Sequence, residues 1–91
     1  MAGRMTERRR VTDSNVAAIP KQSGVYMLHR ASRSRYVGSA GARRLRERIR
    51  QQLITKRGIT SFQYRPTSSQ AQARRLEKQY RDRLNPGQSR V

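Results

Sequence analysis

The sequence predicts an α+β domain, built in the order strand, strand, helix, strand, helix. Three observations carry that prediction. Residues 25–28 are an unbroken apolar run, Val25-Tyr26-Met27-Leu28, which suits a strand covered on both faces rather than one wet on one side. Leu45, Ile49 and Leu53 recur every fourth residue. Ala73, Leu76, Tyr80 and Leu84 keep helical spacing among good helix formers, so each of these sets lays one apolar stripe along a helix.

Along the chain, residues 1–15 are polar, charged and without period, and are expected to form a flexible basic arm that adds phosphate contacts. Order is expected to begin near Val16. Pro20, Lys21, Gln22, Ser23 and Gly24 make a turn-rich entry to the first strand. Residues 30–35 read as a hairpin loop, and Tyr36 and Val37 as a short second strand that Gly38 ends. Ser39, Ala40, Gly41 and Ala42 are small enough for a tight strand-to-helix connection. Arg43, Arg44, Arg46, Arg48 and Arg50 surround the stripe of the helix that follows, which stops at Gly58. Ile59, Phe62 and Tyr64 suggest a third strand, closed by Pro66 because proline cannot donate to a ladder. Ser68 and Ser69 are candidate caps for the last helix, which Pro86 and Gly87 terminate.

Composition narrows the function classes. With 91 residues, 33% of them hydrophobic, one Phe and no Trp, the chain has material for a single thin core. Zero cysteines and one histidine remove disulfide scaffolds, zinc fingers, thiol nucleophiles and multi-histidine metal sites. No apolar run approaches the roughly 20 residues that span a bilayer. The first ten residues lack the apolar stretch of a secretory signal, so the expected setting is cytoplasmic and nucleoid-associated. Charge sharpens the expectation: 22 Lys and Arg stand against 5 Asp and Glu, a net +17, with an isoelectric point of about 12.0. Residues 16–91 hold +15 of that charge, and only Lys21, Lys56 and Lys78 are lysines. Arginine's planar guanidinium grips phosphate oxygens in pairs, which an ammonium cannot do. Nucleic acid is therefore the expected partner, ahead of a membrane surface.

Chemistry has few places to sit. Gly24-Val25-Tyr26 and Tyr36-Val37-Gly38 fall on adjacent antiparallel strands with nine residues between the tyrosines, so pairing brings two phenols into one neighbourhood. Taken alone, tyrosines in a small sheet read as packing. Among the five acids, Glu77 follows Leu76 and lies four beyond Ala73, at the border of the apolar stripe and aimed at the sheet edge. Glu47 and Asp82 sit among arginines and read as solvated ion-pair partners. His29 reads as a structural or solvent-facing histidine.

In this order the features resemble a minimal, single-domain GIY-YIG nuclease, over residues 19–89. The match rests on Gly24-Val25-Tyr26, the nine-residue spacer, Tyr36-Val37-Gly38 with Ser39, the arginine-bearing Leu45-Arg46-Glu47-Arg48-Ile49, and Leu76-Glu77 on a later helix. The resemblance implies a small twisted three-stranded antiparallel sheet flanked by helices, filling residues 16–91. It also implies a divalent-metal-dependent endonuclease that hydrolyses DNA phosphodiester bonds with water as nucleophile and one metal ion. Glu77 would hold Mg²⁺ (or Mn²⁺), for which one carboxylate suffices because the ion keeps waters and takes substrate oxygens. Tyr26 or Tyr36 would take a proton from the water, helped by nearby positive charge. Arg48 would contact the phosphate, preferred to Arg46 because Leu45 lies three residues before it in the family's register. Ser39, Arg43, Arg44, Arg46, Arg50 and Arg74 are expected along the nucleic-acid backbone.

Two departures stand out. Aligned on Pro86, the place where relatives carry an Asn falls near Gln88 and Ser89, leaving Asn85 as the substitute. Ser39 stands where some relatives have Lys, so a phosphate-facing cation is missing there. The substrate is expected to be DNA, branched or nicked forms included, with target choice coming from DNA shape, a homodimer or a partner protein. The competing readings are a non-catalytic basic nucleic-acid-binding module on the same fold, and a basic amphipathic protein on anionic lipid or in a ribonucleoprotein.

Overall fold

The computed structural model describes residues 5–30 and 35–83. Its elements are β1 (Arg9–Arg10), α1 (Asp13–Ala17), β2 (Ser23–Arg30), β3 (Arg35–Ala40), α2 (Leu45–Thr55), β4 (Ile59–Thr67) and α3 (Gln70–Arg83). The class is α+β. The sheet is antiparallel with four strands in the order β1-β4-β2-β3, one more than the three expected. No helix among the described residues is long and apolar enough to cross a membrane.

The extra strand and the extra helix both come from the stretch read as a flexible arm. The Thr6 amide donates to the Tyr64 carbonyl at 2.9 Å, and the Tyr64 amide donates to Thr6 Oγ1 at 3.2 Å. Arg9 and Arg10 then pair with Phe62 and Ser61. Thr12 caps α1 by accepting from the Asn15 amide at 3.1 Å, and Asn15 Nδ2 donates back to the Arg10 carbonyl at 2.9 Å. Local sequence gives no period here because the segment is held by bonds to a strand more than fifty residues away.

β2 is central and buried along nearly its whole length, as the apolar run requires. Alternation along the strand divides its side chains between two cores. Tyr26 and Leu28 join Val16, Ile19, Ala40, Leu45, Ile49, Phe62 and Tyr64 under α1 and α2. Val25 and Met27 join Val37 on the other face, where Met5, Leu76 and Tyr80 cover them. In α2, Leu45 and Ile49 are buried and Leu53 partly so; the helix ends at Thr55, and Gly58, with φ +81°, turns the chain into β4.

β4 runs through Pro66 instead of ending there. The amide and carbonyl of Tyr64 both face β1, and groups two residues apart on a strand face the same way. The missing N–H of Pro66 therefore lies on the outer edge, beyond the stretch that β1 covers. α3 opens with Ser69 Oγ accepting from the Gln72 amide at 3.1 Å, while Gln72 Oε1 accepts from the Ser68 amide at 2.9 Å. This is a reciprocal cap of the Ser-x-x-Gln kind. The turn over residues 31–34, Leu84, Asn85 and the terminating Pro86 and Gly87 lie outside the described residues.

Candidate active site

Cross-strand register sets the position of Tyr26. It pairs with Tyr64 on one side and Gly38 on the other. Tyr64 fills its own side, so the Tyr26 ring leans across Gly38, where a methyl group would fall on the hydroxyl and the ring. The ring is 1% exposed and carries its hydroxyl over β3, the edge strand. There the Arg48 guanidinium reaches it from α2. Burial pushes the phenol above its ordinary pKa; Arg48 opposes this through a hydrogen bond and its charge, and the Glu77 carboxylate adds to the rise.

Glu77 approaches the same strand from the other face. Ser39 pairs with Val25, which belongs to the α3-side core, so its hydroxyl looks toward α3. Ser39 Oγ donates to Glu77 Oε1 at 2.6 Å, and Arg81 Nη2 donates to Oε2 at 2.6 Å. Ser39 thus orients the acid from β3. Tyr26 and Glu77 lie on opposite faces of the edge strand β3, near enough for the carboxylate's charge to bear on the phenol.

Tyr36 shares the Tyr26 face, two positions along β3 from Gly38, and packs against the α2-side core. Arg30 and Lys56 lie over its ring at 5.0 and 4.6 Å from the centroid. Arg48 and Glu77 thus both act electrostatically on the Tyr26 phenol, from the two sides of β3, and Tyr36 lies a step further along the strand.

The remaining arginines divide by helix face. Arg43, Arg46 and Arg50 line one cleft with Lys21 and Glu47. Arg46 Nε donates to the Ile19 carbonyl at 2.6 Å, which ties this side chain to the turn entering β2 and away from Tyr26. Arg43 has φ 58°, a left-handed conformation uncommon for a residue with a side chain. Arg44 pairs with Glu47 at 3.0 Å, both well exposed, an arrangement of small energetic worth. Arg74 is exposed on α3 one turn before Glu77. Lys21 and Arg81 were not singled out by sequence, although the four-residue step from Glu77 to Arg81 is a legible ion-pair spacing.

Among the described residues no three His, Cys, Asp or Glu side chains gather around a metal position. The donor set near Tyr26 is a single carboxylate. That set fits Mg²⁺ or Mn²⁺ bound by one protein oxygen, water and phosphate, since each Glu77 oxygen accepts from one donor and has a second lone pair. The Arg81 guanidinium already stands at one of those oxygens.

No curated protein and no solved structure matches the chain. A family model does match, over residues 6–83, a span that runs from the Thr6 contacts with β4 to the end of α3, and the chain therefore belongs to the family described as Domain of unknown function (DUF7508).

Proposed function

We propose that this protein is a GIY-YIG-type endonuclease that hydrolyses DNA phosphodiester bonds with water as nucleophile and one divalent metal ion. One observation supports the reading: the Tyr26 phenol of β2 feels the charge of Arg48 from α2 and, across the edge strand β3, that of Glu77 from α3. Glu77 would hold Mg²⁺ or Mn²⁺, and the bound ion offsets charge on the scissile phosphate and leaving oxygen. Arg48, exposed on α2 and near enough to act on the Tyr26 phenol, binds a phosphate oxygen and stabilises the charge that develops there. Burial keeps Tyr26 protonated, so its hydroxyl orients water or phosphate by hydrogen bonding. Tyr36, the second phenol on this face, would take the water's proton at Oη once its own has gone to solvent. Lys21, Arg43, Arg46 and Arg50 hold the flanking backbone.

The test is cleavage of labelled duplex, flap and junction DNA with and without Mg²⁺. Glu77→Ala should lower metal-dependent nicking by at least about 100-fold while folding and DNA binding persist; undiminished cleavage would remove Glu77 from the mechanism. Tyr36→Phe should lose more activity than Tyr26→Phe. A second reading has its own support: Ser39 and Arg81 already satisfy both Glu77 oxygens, as a binding module that has given up catalysis could afford. It predicts tight, salt-sensitive DNA binding and no cleavage with either metal on the whole panel.

A further inference from the structure

Arg81 has no part in the chemistry above, yet it is the most heavily engaged arginine near Glu77. Besides donating to Oε2, its Nη2 reaches the Val37 carbonyl on β3 at 3.3 Å. The Glu77 side chain is 20% exposed and that of Arg81 42%, so the pair is only partly wetted and less screened than a free surface pair. The Arg81 Nε is buried and finds no partner among the described residues. A guanidinium that satisfies an acid while stranding one of its own donors is held by its charge more than by its fit. A cation arriving at Oε2 would therefore meet a positive charge already in place, bonded to the carboxylate and to Val37 but with its Nε unsatisfied among the described residues.

We propose that Arg81 is a built-in counter-cation of Glu77, which a divalent ion must displace and which then turns toward the phosphate of the incoming strand. This rests on the reading of Glu77 as the metal-holding residue. The latch keeps the carboxylate neutralised in the free protein and links metal entry to the arrival of a new anion for Arg81. Ser39 stays on Oε1 throughout and preserves the orientation of the acid.

The experiment is Mn²⁺ binding to the full chain without DNA, followed by the electron paramagnetic resonance of free Mn²⁺, with folding checked by circular dichroism. Arg81→Met should bind Mn²⁺ about tenfold more tightly than wild type, the size of a typical coupling between sites. Arg81→Lys, which keeps the charge, should stay near wild type. The gain should vanish in the Glu77→Gln/Arg81→Met double variant. In wild type, Mg²⁺ titration should also shift the Arg81 side-chain ¹⁵N resonance, a readout that needs no substitution. Equal Mn²⁺ affinity in wild type and Arg81→Met, lost in both on Glu77→Gln, would overturn the latch and leave the nuclease reading standing. A gain that survives Glu77→Gln would also overturn it. Absence of Glu77-dependent binding in every variant would remove both.

Discussion

At the level of single residues, Gly38 is the position where motif and packing coincide. The Tyr26 hydroxyl stays near Arg48 only because nothing projects from Gly38 beneath it. Gly38→Ala keeps the backbone tolerable in a strand but drives the ring off its seat. Overpacking of this kind typically costs about 1–3 kcal/mol, which urea denaturation would measure. Nicking should fall about tenfold or more in the fraction that remains folded, because the phenol is displaced from the phosphate site. Full activity at unchanged stability would show that the Tyr26 position does not matter. That Tyr26 and Tyr36 share a face comes from the register, Tyr26 on Gly38 and Leu28 on Tyr36; the antiparallel pairing of the strands that carry the two tripeptides was legible in the sequence. The reason for the glycine was not, since it depends on Tyr64 filling the opposite side, a contact from a strand whose register no local pattern reveals. The role of Ser39 was hidden in the same way: its direction follows from which face Val25 takes.

Among elements, β1 shows how a segment without periodicity joins a sheet, and His29 marks where it is fastened. Gln63 Nε2 donates to the Thr6 carbonyl at 2.9 Å, which leaves Gln63 Oε1 to accept from His29 Nε2 at 2.7 Å. His29 is 4% exposed. Burial lowers its pKa below the usual 6.5, the Arg8 and Arg35 charges add to the lowering, and the Gln63 bond opposes it. Above about pH 6.5 both states are neutral there and stability is complete. As pH falls below that value the unfolded chain binds a proton that the folded one refuses, so stability declines until the lowered folded pKa is reached. The urea midpoint of wild type should drop between pH 7.5 and 5.5, and the protection of the Thr6 amide, its exchange measured against the intrinsic rate at each pH, should fall. His29→Gln should flatten that dependence, and an unchanged slope would exclude His29 as its source. Of the elements visible in the sequence, β2, α2 and α3 rest on apolar runs or repeating apolar faces, and β3 and β4 on short apolar sets bounded by turn residues. β1 and α1 depend on Thr6, Thr12 and Asn15 making specific hydrogen bonds, which composition does not announce. Pro66 misled for a related reason: which way a strand's missing donor points is settled only by its neighbours.

For the molecule as a whole, salt acts in two opposing directions. The chain carries +17 within extents of 31 × 31 × 23 Å, so its cations repel one another in the folded state. Added salt screens that repulsion, and the thermal midpoint should rise with ionic strength. Binding responds in the opposite sense, because each phosphate neutralised by a cation releases a counterion. A body 31 Å long covers about one turn of duplex, at roughly 3.4 Å per base pair. Four to six phosphate contacts are a reasonable complement for that length, which sets the slope of log affinity against log salt at about −4 to −5. Lys21 and Arg50 line the cleft beside α2, and neither makes a protein hydrogen bond among the described residues. Replacing both with Ala should flatten the slope by about 2, at about 0.9 per phosphate contact, and weaken binding on every DNA sequence alike, since backbone contacts carry no base information. The same double variant should melt higher at low salt, because two mutually repelling charges are gone. Fluorescence anisotropy and thermal melts over one salt series read both effects on the same protein. If the slope is unmoved while the melting temperature rises, these cations are only self-repulsive surface charge and the strand takes another path.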